Sequence, residues 1–149
     1  MIIGAGVGAH PLVPWLAMRV TVDFSWRELG GLSLSAARIR FPDVPAAPGI
    51  YRFDLGDRIY IGETDQLKRR FQGYRTPGIS QATNLRLNAA LTTLLQSGRT
   101  ATAASITNAI VDVDGQRVPL DLSYKPARLL VESAALVAER LAGRPAENL

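Results

Sequence analysis

The sequence predicts an α+β domain: a small three-stranded antiparallel sheet flanked by helices, with an N-terminal extension. Two short β-rich runs around an Asp- and Gly-containing turn (Ile50–Phe53 and Arg58–Ile61) predict a hairpin, and helix-period segments with clear stop signals follow it. The resulting order of strand, strand, helix, helix, strand, helix suits a layered domain with helices packed on a sheet. At 149 residues and 47% hydrophobic the chain suits one domain with a sizeable core. The expected division is an extension over residues 1–45 and the core domain over 46–149.

Met1 to Ala17 carry no Lys, Arg, Asp or Glu and are interrupted by Pro11 and Pro14, too broken for a membrane span and without the basic start of a secretory signal. Gly4-Ala5-Gly6-Val7-Gly8 faintly resembles a dinucleotide-binding loop, but no full strand precedes it and the prolines spoil the helix that should follow. Met18 is the expected native start, because Arg19–Phe24 begins a clean alternating strand there. Ser25–Leu29 and Ser35–Arg38 read as short helical turns, with Phe24 and Trp26 as packing residues, before a proline-rich approach at Pro42, Pro45 and Pro48.

In the hairpin, Tyr51 is expected to pair across from Tyr60, each close to a glycine, Gly49 and Gly62, that leaves backbone room. Thr64 or Asp65 can cap a helix from Gln66 to Arg75 with Leu67 and Phe71 inward, which puts Arg70 and Tyr74 on one face. Thr76-Pro77-Gly78 breaks the chain. Asn84–Gln96 is a second helix with Leu87, Leu91, Leu94 and Leu95 inward, stopped by Ser97-Gly98. Ala101–Val113 reads as the third strand, closed by Asp114-Gly115, and Lys125–Ala142 as the last helix, ended by Gly143 and Pro145.

Charge is concentrated. The chain carries 17 Lys and Arg against 13 Asp and Glu. Lys68, Arg69, Arg70 and Arg75 crowd one helix, and Arg86 and Arg99 flank the next, a distribution that fits a polyanion such as nucleic acid. Zero cysteines and a single histidine, His10, exclude a disulfide scaffold, a thiolate zinc site and a multi-histidine metal site. A bound metal must therefore take oxygen ligands, which favours Mg2+ or Mn2+.

Gly49-Ile50-Tyr51, Tyr60-Ile61-Gly62, Arg70 on the following helix, Glu132 within Leu129–Leu136, and Pro145-Ala146-Glu147-Asn148 stand in order over residues 46–149. Together they resemble the GIY-YIG nuclease family, metal-dependent enzymes that cut the DNA backbone. The resemblance implies a DNA endonuclease with Tyr51, Tyr60, Arg70, Tyr74, Glu132 and Asn148 at the catalytic site. It assigns the metal to Glu132, the phosphate clamp to Arg70, a proton from the attacking water to one of Tyr51 and Tyr60, a supporting hydrogen bond to Tyr74, and phosphate orientation or bracing of the glutamate to Asn148. The interval from Arg70 to Glu132 is longer than in compact repair-type domains, as in restriction-type members.

The residues themselves add to this. Glu132 sits between Leu129 and Leu136 on a partly apolar stripe, where an unpaired carboxylate is costly unless a metal or Arg70 offsets it; a surface glutamate is the plainer alternative. Glu139, the rival ligand, adjoins Arg140 near the helix end and reads as solvated. Lys68, Arg69 and Arg75 are expected to contact DNA. A phenol with a pKa of about 10 is a poor base at neutral pH and needs nearby cations to lower it. The alternative reading is a catalytically inactive nucleic-acid-binding module. DNA as substrate and the absent targeting signals give a cytoplasmic expectation, with no membrane partner; the oligomeric state is open, a homodimer included.

Overall fold

The structure is a computed structural model and describes residues 15–149, so the Gly4–Gly8 segment lies outside the described residues. Val20–Phe24 (β1), Arg27–Gly31 (β2), Ser33–Ser35 (β3) and Arg38–Arg40 (β4) come first, followed by the hairpin Gly49–Asp54 (β5) and Ile59–Thr64 (β6). Helices Leu67–Arg75 (α1) and Ala82–Gln96 (α2), strands Thr102–Ile106 (β7), Ala109–Val113 (β8) and Gln116–Pro119 (β9), helix Lys125–Leu141 (α3) and strand Ala146–Asn148 (β10) complete the order. The expected α+β class and the three-stranded antiparallel arrangement are present: β6, β5 and β7 are successive antiparallel neighbours. They form the middle of a five-stranded sheet, order β10-β6-β5-β7-β2, with β10 added parallel to β6. A separate three-stranded sheet, β1-β8-β9, and the β3–β4 hairpin stand beside it.

Two N-terminal expectations are corrected. Ser25–Leu29 is not a helical turn: Arg27 onward forms β2, which satisfies its backbone against β7. Ser35–Arg38 is the tip of the β3–β4 hairpin, turned by Ala36 and Ala37 at φ of 51° and 64°. Such left-handed turn positions favour Asn and Gly, so two alanines carry no hairpin signal. The single third strand is likewise two: Thr107-Asn108 divides it, β7 remaining in the main sheet and β8 crossing to pair with β1.

The helices fall close to expectation. Thr64 holds the turn before α1 rather than capping the helix, its Oγ1 accepting from the Gln66 amide at 3.1 Å, while Asp65 pairs with Arg69 at 2.6 Å. The main sheet has two apolar faces. Tyr51, Phe53 and Tyr60 pack with Leu67, Phe71 and Tyr74 of α1 and Leu87, Leu91 and Leu94 of α2. Ile50, Ile59, Ile61 and Ile106 pack on the other side with Ala127, Val131 and Ala135 of α3. Leu129 is largely exposed, so the inner stripe of α3 is set by Ala127, Val131 and Ala135 and not by Leu129.

The hairpin register also differs from expectation. Tyr51 lies opposite Gly62, and Tyr60 lies opposite Phe53, one same-face pair nearer the turn. The reason is steric: the Tyr51 ring lies over Gly62, where a Cβ would collide with the ring and hydroxyl. At Gly49 an added Cβ would stand 2.5 Å from the Ile106 carbonyl. A Gly62→Ala variant should therefore lose about 1–3 kcal/mol in urea unfolding, as overpacked cores do. An unchanged midpoint would mean that Tyr51 has somewhere else to go.

Candidate active site

β5 and α3 each deliver one chemically significant group, and α1 delivers two. Tyr51 is 1% exposed and Tyr74 fully buried, and their hydroxyls share a 2.5 Å hydrogen bond across the interface between β5 and α1. The Phe53 ring centroid lies 5.6 Å from Tyr51, 5.7 Å from Tyr74 and 5.2 Å from Phe71, which itself lies 5.8 Å from Tyr51, and this packing fixes both phenols. Arg70 is one helical turn before Tyr74, half-buried, on the wall of a groove with Thr64, Asp65, Arg69, Gly73, Gln81 and Asn84.

Burial pushes the Tyr51 phenol well above its ordinary value; Tyr74 and Glu132 add to the rise, and Arg70 draws it partly back. Burial likewise raises Tyr74, with the Tyr51 hydrogen bond and the Arg70 guanidinium opposing. Tyr51 thus lies within the field of both Arg70 and Glu132, groups distant from it in sequence. At neutral pH both phenols are protonated. They can orient a water or an oxyanion, and one accepts a proton only if its own moves on.

Glu132 is 6% exposed on α3. Burial raises its carboxyl above the usual range, the Glu63 charge beside it adds to the rise, and the Glu63 backbone amide lowers it. The sheet edge explains that amide. Ile59 donates to the Pro145 carbonyl and Ile61 accepts from the Leu149 amide, so alternate residues of β6 turn their backbone groups toward β10. The β10–β6 ladder ends at Asn148 opposite Ile61, and Glu63 is next in that series. The Glu132 carboxylate lies beside the amide that the ladder leaves over.

Two residues of this cluster carry no motif. Arg128, buried one turn before Glu132, donates from Nε to Glu63 at 3.0 Å and from Nη1 to the Leu122 and Ser123 carbonyls at 3.0 and 3.1 Å. Its spacing from Glu132 was the available signal, since a basic residue one turn from a buried acid shares its face. Glu63 adjoins the Tyr60-Ile61-Gly62 run and points to the α3 side.

The remaining expected residues are placed as follows. Tyr60 is buried in the α1-side core with the Arg58 guanidinium 5.5 Å from its ring centroid. Asn148 is exposed and held by the β10 pairing beside Ile61. Lys68 and Arg75 are exposed and line a neighbouring groove with Phe41 to Val44, whereas Arg69 is engaged with Asp65. Arg99 is not near this cluster, since it meets Asp57 at 3.5 Å and the Leu55 carbonyl at the hairpin turn. Glu139 is not solvated: its side chain is 11% exposed and pairs with Arg52 at 3.3 Å and Arg144 at 2.6 Å. Arg52 also meets Glu28 and stacks on Trp26, so this network ties β2, β5 and α3 together.

A divalent metal fits this donor set. Among the described residues Glu132 has no ion-pair partner, and a buried carboxylate without a cation is costly. No group of three or more potential ligands gathers among the described residues, so Mg2+ would take one or two carboxylates and fill its shell with waters.

No protein-family model matches the chain, and a search of curated proteins finds no match. Among solved structures it is similar to a mutant of bacteriophage T4 EndoII, with 19% sequence identity, a TM-score of 0.51, and coverage of 80% of this chain and 90% of that one. The likeness is one of fold. No helix among the described residues is long and apolar enough to cross a membrane.

The sign of the Glu132 shift gives a test. A carboxyl raised in the folded state costs stability once it ionises, so the penalty is present at neutral pH and vanishes as pH falls below the ordinary value of about 4.3. In EDTA, Glu132→Gln should melt above wild type at pH 7, and the gap should close toward pH 4. A variant that melts below wild type at pH 7 would mean that Glu132 has a stabilising partner.

Proposed function

We propose that the chain is a metal-dependent DNA endonuclease of the GIY-YIG type. The observation that carries the reading is the hydrogen-bonded Tyr51–Tyr74 hydroxyl pair with Arg70 one turn away on α1 and Glu132 on α3 within electrostatic reach of Tyr51. The fold shared with EndoII, whose name denotes an endonuclease, supports it, as does the exposed positive charge of Lys68 and Arg75 on the same helix as Arg70.

In this reading Glu132 holds Mg2+ or Mn2+, which when bound offsets charge on the scissile phosphate and polarises a water. Arg70 sets its planar fork against the phosphate and neutralises charge that grows in the transition state. Tyr51 orients the attacking water and takes its proton in the ionised form, after its own hydroxyl proton has left to solvent, while Tyr74 donates a hydrogen bond that steadies the Tyr51 oxygen. Tyr60, at the next pair of the hairpin, serves the phosphate, and Asn148 at the ladder end braces the Glu132 side. Lys68, Arg69 and Arg75 follow the flanking backbone.

Nicking of supercoiled plasmid by the purified protein tests the reading. Cleavage should need Mg2+ or Mn2+, stop in EDTA, and be lost in Glu132→Ala while DNA binding persists. Arg70→Ala should slow cleavage on the order of a hundredfold with little change in folding. DNA binding without nicking by wild type in either metal would favour a binding module instead. The raised Tyr51 phenol adds a pH expectation: with chemistry rate-limiting, the rate should climb from pH 6 through pH 9, and a flat profile would remove the phenol from proton transfer.

A further inference from the structure

The Glu63–Arg128 pair is more deeply placed than a stability bridge requires. Both side chains are largely buried, Arg128 is 6% exposed, and the guanidinium spends three hydrogen bonds on two elements: Glu63 on β6, and the Leu122 and Ser123 carbonyls just before α3. Those carbonyls precede the first turn of α3, and Glu132 follows Arg128 by one turn on the same buried face. The first turns of α3 are thereby fixed in height and rotation against the strand whose spare amide Glu132 meets. No side-chain cap supports the α3 N-terminus, so at this end of the helix Arg128 supplies the polar tie to the sheet, while Glu139 pairs with Arg52 at the other end.

We infer that Arg128, through its pair with Glu63, is a positioning residue that holds the Glu132 carboxylate in its metal-binding attitude. The inference rests on the metal reading of Glu132 and deepens it: metal affinity depends on an arginine that does not touch the metal. Residues that orient a ligand from behind commonly matter about 10–100-fold in metal affinity.

The sign of the effect separates positioning from charge. Arg128 carries a positive charge close to the site, so if it acted only as a charge, neutralising it would tighten cation binding. If it positions Glu132, neutralising it weakens binding. The probe is Mn2+, titrated into the full chain without DNA and followed by loss of the free-ion EPR signal, with far-UV circular dichroism at the same temperature to confirm folding. Wild type should bind, Glu132→Gln should not, and Arg128→Gln should bind about 10–100-fold more weakly. Arg128→Lys keeps the charge but cannot span Glu63 and both carbonyls with one planar fork, and it should also bind more weakly; it provides the answer if Arg128→Gln does not fold. Wild-type or tighter Mn2+ affinity in the folded Arg128 variants overturns the inference while leaving the metal reading intact. Absence of Mn2+ binding in wild type overturns the metal reading itself.

Discussion

A missing side chain organises this molecule. With only hydrogen at Gly62, the ring of Tyr51 lies flat over β6, and its hydroxyl reaches the Tyr74 hydroxyl on α1. The Phe53 and Phe71 rings close around that contact, with Phe41 packed against both of them. The hairpin register follows from the same fact. Tyr51 can face only a residue without a Cβ, so Gly62 must be its partner, and Tyr60 is displaced to face Phe53. Arg70 is carried on the same helix as Tyr74, so the placement of a guanidinium at the groove depends on a strand glycine it does not touch.

Polar groups are bought into the interior in two different ways. Arg52 is surrounded by Glu28, Glu139 and the Trp26 ring, a network that ties sheet to helix; removing the buried Glu139 from it costs about 3–5 kcal/mol, whereas the exposed Glu28 contributes little. Glu132 is handled otherwise. The neighbouring cation, Arg128, is committed to Glu63 and the carbonyls before α3, leaving Glu132 with a backbone amide and its own desolvation. A chain selected for stability alone would turn that guanidinium toward Glu132.

Much of this was legible in the residues because it was local. The hairpin strands, the three helices and their stops follow from short-range pattern: Leu67 and Phe71 face inward in α1, Leu87, Leu91 and Leu94 in α2, and Gly143 ends α3 at φ +81°. What escaped was non-local. β2 and β10 are strands because edges of the main sheet accept them, and nothing in their own sequences demands it. Register depends on the Tyr51 ring meeting Gly62, a contact between strands. Glu139 read as solvated because Arg140 adjoins it, yet its partners Arg52 and Arg144 come from β5 and from beyond the helix. Among the candidate site residues, Tyr51, Arg70, Tyr74 and Glu132 were visible by motif, and the structure joins Tyr51 to Tyr74 by their hydroxyls, while Glu63 and Arg128, which have no motif, required the packing of α3 on β6.

The edge strand accounts for why the cluster is where it is. A sheet edge exposes unpaired amides and carbonyls, and proteins usually cover them. Here β10 pairs with the β6 edge through Ile61, and Glu132 lies near the next outward-facing amide, that of Glu63. Asn148 lies beside Ile61 in that pairing and is exposed. The short strand therefore completes the edge of the main sheet beside which Glu63 and Glu132 are placed.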